Sequence, residues 1–263
     1  MANVQLGQLQ QEAAQLSTHF SDPETYLKQL ERLLESYASP IHRHGRVRGM
    51  RPILFSYEVP ALVLHRLELE QQFQASQQPA AALAVADALW ARRSYETRQL
   101  AIRLLGATPA PSHEITARLE AWSAENQEEL LVSLLFQSGA RGLAEQQPQA
   151  LLAFGRAMLA SQTLRKQILG LGCLQTLLSS RGFDNLPALF NALLPISQDM
   201  PRKLQPFLAD VLSELAERTP KETAFFLQQL LAGQHSEGSR WVARQVLRQL
   251  PPEMQASLRE LAK

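Results

Sequence analysis

Cysteine is almost missing from this chain. Cys173 stands alone, so no internal disulfide and no cysteine-based zinc site can form. Glycine is scarce, at 12 of 263 residues, and aromatic residues make up only 6 %. Long β-branched runs are lacking too. The chain is instead rich in Leu, Ala, Gln, Glu and Arg, all good helix formers, and this composition argues for an all-α protein. No segment approaches the roughly 20 consecutive apolar residues that span a bilayer. The most apolar stretch, residues 150–160, is interrupted by Arg156. Residues 1–11 have neither a basic start nor a long apolar run, so no secretory signal is expected. A monomeric cytoplasmic protein without membrane contact is the resulting expectation.

Catalytic signatures are equally sparse. The sequence has no HExxH, no phosphate-binding P-loop, no Gly-x-Ser-x-Gly and no triad-like arrangement. His42 and His44 have no third ligand at a recognisable spacing, so no metal site is expected, and nothing calls for a cofactor. Gly170-Leu171-Gly172 sits inside a helical pattern without a preceding strand, which suits close helix packing better than a nucleotide loop.

What the chain does have is helical periodicity with clear punctuation. Leu27, Leu30, Leu33 and Leu34 form the apolar stripe of a helix that Asp22 caps and Pro23 opens. Residues 40–52 read as a loop, and a helix resumes over 59–74. From residue 78 helices pair as 79–91 with 95–106, 113–124 with 126–138, and 148–160 with 162–179. Two further pairs follow, 184–197 with 203–218 and 220–232 with 238–250, and a last short helix comes after Pro251-Pro252. The second helices begin at intervals of 31 to 41 residues, the range of helical-pair repeats. Ser94, Ser112, Pro148 and Pro220 mark helix starts. A lone pair cannot cover its apolar face, so the pattern predicts a right-handed α-solenoid of about five stacked pairs over 78–263. Residues 1–77 would form N-terminal capping helices with a basic loop.

Net charge is +1, which gives no global pull on a polyanion. The charge is unevenly spread, however: residues 40–103 hold nine basic and five acidic side chains. The loop carries Arg43, Arg46, Arg48 and Arg51, and Arg pairs bidentately with phosphate oxygens. Arg92, Arg93, Arg98 and Arg103 extend the patch. Arg165 and Lys166 lie within one turn of Ile168. Arg240, Arg244 and Arg248 recur at i, i+4 and i+8, which on one α-helix makes a single stripe. Trp90, Trp122 and Trp241 lie on apolar helix faces and are expected in the core, as is Cys173.

From Ala88-Leu89-Trp90 through Glu96-Thr97-Arg98 to Ala101 the chain resembles the bacterial DNA alkylation repair family, HEAT-like alkylpurine DNA glycosylases. The resemblance resumes at 151–170, is clearest from 186–190 through 212–215 and 220–227, ends in 240–250, and covers roughly 78–250. It implies a HEAT-like fold that binds duplex DNA on a concave face. The family's Trp-Asp-x-x-Asp motif falls on Gln127 to Leu131, its second cleft Trp on Asp210, and its cleft Arg near Ile168. In the family, aromatic faces hold the cationic base and a carboxylate stabilises charge developing on the sugar. Gln127 and Leu131 do neither, although Glu128 or Glu129 is a possible carboxylate and Trp122 a possible aromatic. The expectation is therefore a DNA-binding member without base-excision activity and with no catalytic residue. Arg43, Arg46, Arg48, Arg51, Arg98, Arg103, Arg165, Lys166, Arg240, Arg244 and Arg248 would contact the backbone. The alternatives are a protein-interaction scaffold, with Leu131 or Phe136 exposed in its groove, and an active alkylpurine glycosylase.

Overall fold

The computed structural model describes residues 5–38, 54–125, 128–180, 182–198, 200–232 and 237–261. Among these the chain is all-α, with no strand and a single isolated bridge between Phe55 and Ser94. It divides into two compact units, Met1–Gly142 and Leu143–Lys263.

The first unit contains α1 (Leu6–Ser17), α2 (Pro23–Tyr37), α3 (Ala61–Gln77), α4 (Pro79–Ala91), α5 (Tyr95–Ala107), α6 (Ser112–Glu125) and α7 (Glu129–Leu134). Their starts follow the expected chemistry. The Asp22 side chain accepts from the Thr25 N–H, and Ser94 Oγ accepts from the Thr97 N–H, so each satisfies an orphan donor of the first turn. Helices two apart in sequence lie side by side: α1 on α3, α3 on α5, α5 on α7, and α2 on α4. Leu100, Ala101, Ile102, Leu104 and Leu105 of α5 are all buried, because this helix has neighbours on most sides.

The expected helix over 126–138 differs in form. After α7 the chain widens into a π-helical turn, Leu135–Gly139. Gly139 packs on Leu119 and Ile102, and the Ser138 carbonyl lies directly over Gly106 of α5. A short helix the sequence pattern did not reveal, α8 (Arg141–Gln146), follows. Leu131 and Phe136 were expected to be exposed in a groove, but both are buried, at 0 % and 2 %. The i, i+4 pair Leu131 and Leu135 turns inward, and it is Leu130, about 100° around the helix, that faces solvent.

The second unit contains α9 (Pro148–Leu159), α10 (Leu164–Ser179), α11 (Leu186–Gln198), α12 (Gln205–Arg218), α13 (Pro220–Ala232), α14 (Glu237–Val246) and α15 (Pro252–Leu261). Again alternate helices are neighbours: α9, α11, α13 and α15 in one row, α10, α12 and α14 in the other. The α9–α10 contact is backbone to backbone. A Cβ on Gly170 would stand 2.9 Å from the Gly155 carbonyl oxygen, so this glycine does serve close helix packing. Cys173, in the same contact, is fully buried, and burial pushes its thiol up to about 12.

Within the second row the helices run parallel. Ser179 Oγ, at the end of α10, donates to Glu214 Oε1 near the end of α12 at 2.9 Å. Arg218 closes α12 by donating to the carbonyls of Leu178 and Phe183, each at 2.9 Å. At the other end a 3-10 turn, Arg202–Leu204, leads into α12 and packs on α10, and Gln205 lies against Gly238 of α14.

Candidate nucleic-acid interface

Several described arginines of the first unit are used inside it. Arg103 Nη1 donates to Glu68 Oε2 at 2.6 Å, and Glu68 is buried. Burial pushes the Glu68 carboxyl up, and the Arg103 charge and then His65 oppose that shift. Arg92 pairs with Glu31 at 3.2 Å, and Arg66 pairs with Glu70. Arg118 grips Asp87 with two hydrogen bonds of 2.9 and 2.7 Å, tying α6 to α4.

Arg98 is 8 % exposed, and its guanidinium lies 4.3 Å from the centre of the Trp90 ring. Trp90 stacks on Trp122, with ring centres 4.6 Å apart and planes within 5°. The Trp90 indole N–H donates to Glu125 Oε2 at 3.0 Å. Burial lowers the Arg98 pKa, while Glu125 opposes this. Cation, two indoles and carboxylate thus form one closed cluster. Trp90 and Trp122 are core residues, as their apolar faces implied, and Trp122 has no face left for a base.

Glu96 has a comparable internal duty. It is buried, and its Oε1 accepts from Ser56 Oγ at 2.7 Å and from the Glu58 N–H at 2.8 Å. Glu58 has a φ of 55°, a left-handed conformation that these bonds hold in place. Phe55 reinforces the attachment by donating to the Arg93 carbonyl at 3.2 Å and accepting from the Tyr95 N–H at 2.8 Å. The Trp-x-x-x-x-x-Glu-x-Arg pattern over 90–98 is therefore a packing signature: Glu96 anchors residues 54–58 and Arg98 covers the Trp pair. Arg43, Arg46, Arg48 and Arg51 lie outside the described residues, as does Gln127.

In the second unit basic residues gather at one end of the parallel helices. The register of the parallel helices brings together the starts of α10, α12 and α14. These carry Arg165 and Lys166, then Arg202 and Lys203, then Arg240. Arg165, Arg202 and Lys203 are exposed, whereas Arg240 is half-buried with its Nε lacking a hydrogen-bond partner. Arg202 and Lys203 were not singled out from the sequence. A basic pair two residues ahead of a helix that aligns with the Arg165–Lys166 pair was the available signal.

The expected arginine ladder on one helix needs a correction. Arg240 and Arg244 lie on α14, but Arg248 sits on a 3-10 turn, Leu247–Gln249. The following Pro251 forces Leu250 into an extended conformation, so the helix cannot continue and its last turn tightens. Arg244 and Arg248 are exposed, and among the described residues neither has an ion-pair or hydrogen-bond partner. Trp241 departs from expectation as well: it is half-buried, on the same side of α14 as Arg244.

Carboxylates follow along α12 away from this strip. Asp210 is exposed on α12, and Glu214 lies one turn further toward the helix end. Partial desolvation by the surrounding protein raises both carboxyls, and for Glu214 the Ser179 hydrogen bond opposes the shift.

A second feature of this unit is an open groove of about 660 Å³ between α11 and α13. Its walls include Leu186, Phe190 and Leu194 on one side and Phe225 and Phe226 on the other, with Phe190 and Phe226 in ring contact at 5.5 Å. Pro195 within α11 removes the N–H that would bond the Asn191 carbonyl on this wall.

No group of His, Cys, Asp and Glu among the described residues is arranged to hold a metal ion, and no described helix is long and apolar enough to cross a membrane. No protein-family model matches the chain, and no curated protein or solved structure matches it.

Proposed function

We propose that the second unit binds a nucleic-acid phosphate backbone along the starts of α10, α12 and α14, on a HEAT-like stack of helical pairs, without excising bases. One observation carries this reading: Arg165, Lys166, Arg202, Lys203 and Arg240 are aligned by three parallel helices, with Arg244 and Arg248 exposed just beyond them. Each helix start adds positive dipole potential. The alternation of rows within each unit supports the HEAT-like reading, as does the resemblance to the DNA alkylation repair family. The absence of excision rests on Leu131, buried where the family has its carboxylate, and on the Trp90–Trp122 pair, closed against itself.

Duplex binding measured by fluorescence anisotropy is expected to weaken steeply with salt. Replacing Arg244 and Arg248 by Gln lowers the slope of log K against log salt by about one for each phosphate no longer neutralised. Methylated duplex incubated with the protein is expected to release no alkylpurine. An affinity unchanged between low and moderate salt would overturn the binding proposal, and release of N3- or N7-alkylpurine would overturn the non-catalytic one.

The α11–α13 groove favours a second reading, a protein-interaction scaffold. Its apolar walls are the kind that take an aromatic or aliphatic anchor. A pull-down recovering nucleic acid and no protein counts against this alternative.

A further inference from the structure

The side of α14 that carries Arg244 also carries an indole. Trp241 is three residues before Arg244 and seven before Arg248, and residues three and four apart are neighbours on a helix surface. The 3-10 turn, whose residues advance about 120° rather than 100°, still leaves Arg248 within about 20° of Trp241 around the axis. Arg240 adjoins Trp241 and holds a buried Nε without a partner. Trp241 is half-buried, while Trp90 and Trp122 are closed against each other in the first unit. Glu237 lies one turn before Trp241 on α14, and the adjoining α12 carries Asp210 and Glu214. By the Gln205–Gly238 register Asp210 and Glu214 lie level with Arg244 and Arg248 on the next helix, and Glu214 is held by Ser179 of α10, so the charged groups on the ring's own side of α14 are the arginines.

A fully paired duplex has no use for such a ring, because its bases are stacked on one another. An unpaired strand offers both a phosphate chain and free base faces, and a positively charged strip with an interleaved aromatic is the usual way to hold one. We infer that Trp241, flanked by Arg240, Arg244 and Arg248, is a stacking platform for an unpaired base, so that the surface takes single-stranded segments in addition to duplex backbone. This inference rests on the phosphate-binding role proposed above and specifies the form of the nucleic acid.

The test compares wild type, Trp241→Ala and Trp241→Phe on two probes, an oligothymidylate of about 12 nucleotides and a blunt duplex of similar length. Wild type is expected to bind both, and the single strand to quench a tryptophan emission component that Trp241→Phe lacks. Trp241→Ala weakens single-strand binding about tenfold, the loss of one base stack, and leaves the duplex affinity unchanged. Trp241→Phe keeps most of the single-strand affinity, because an aromatic face remains. If Trp241→Ala binds the single strand as tightly as wild type, or loses both probes equally while Trp241→Phe loses neither, the stacking role is wrong and the backbone role stands. If wild type binds neither probe, both fall together.

Discussion

Gly106→Ala is expected to destabilise the first unit by about 3 kcal/mol or more, lowering its melting temperature by roughly 10 °C. A Cβ at this position would stand 1.8 Å from the Ser138 carbonyl oxygen and 2.8 Å from its carbon. Both are backbone atoms of the π-helical turn, so no rotamer change relieves the clash. Gly142 repeats the constraint from the other side, since its Cβ would meet the Gly106 carbonyl oxygen at 2.3 Å. Interiors packed at crystal-like density have no slack for such an intrusion. Gly7→Ala is the control, because nothing lies within 4 Å of its Cβ. Thermal unfolding followed by circular dichroism checks the pair. A Gly106→Ala protein melting within a few degrees of the parent contradicts the close contact.

The second large effect is expected at Arg103. Its guanidinium is the main partner of the buried Glu68 carboxylate. Removing one member of a buried pair leaves an uncompensated charge and costs about 3–5 kcal/mol. Arg103 is itself about a third exposed, and water screens part of that interaction, so Arg103→Met is expected to cost about 2–3 kcal/mol near neutral pH. The pH dependence has a definite sign. Burial already holds the Glu68 carboxyl above its ordinary value, and Arg103 opposes that shift. Without Arg103 the carboxyl moves higher still. A carboxyl raised in the folded state penalises folding fully above its folded-state pKa, and the penalty shrinks as pH falls from that value toward the unfolded one. Urea unfolding of Arg103→Met at about pH 7.5 and about pH 5 should therefore show the deficit shrinking in acid. The double variant Arg103→Met/Glu68→Gln should recover most of the loss at the higher pH. A deficit that is independent of pH, or that survives in the double variant, assigns the effect to lost packing instead.

Helix starts were the most legible part of this chain. Asp22 and Ser94 cap where their carboxylate or hydroxyl chemistry placed them, and Pro23, Pro148 and Pro220 open helices at the positions expected of a residue without an N–H. Local departures from the α form were not legible. The π-helical turn at 135–139 answers to the Gly106 contact across the fold, and the 3-10 turn at 247–249 answers to Pro251 ahead of it. Periodicity sees neither cause. The same limit applies to the candidate site. A run of arginine announces charge, but whether that charge meets solvent or an internal partner depends on packing between segments far apart in the chain, as with Arg103 and Glu68. In the second unit the useful signal was alignment: Arg202 and Lys203 become neighbours of Arg165 and Lys166 only through the register of α10 and α12.

The solitary sulfhydryl has a practical corollary. Cys173 is sealed where α9 crosses α10, and its neutral form is strongly favoured there, so it is doubly shielded from alkylating reagents, which attack the thiolate. Modification must wait until the second unit opens. The rate of iodoacetamide incorporation, divided by that of a model thiol, then reports how often those helices part. Because the chain holds no other cysteine, this timer is supplied by nature and reads one half of the protein alone.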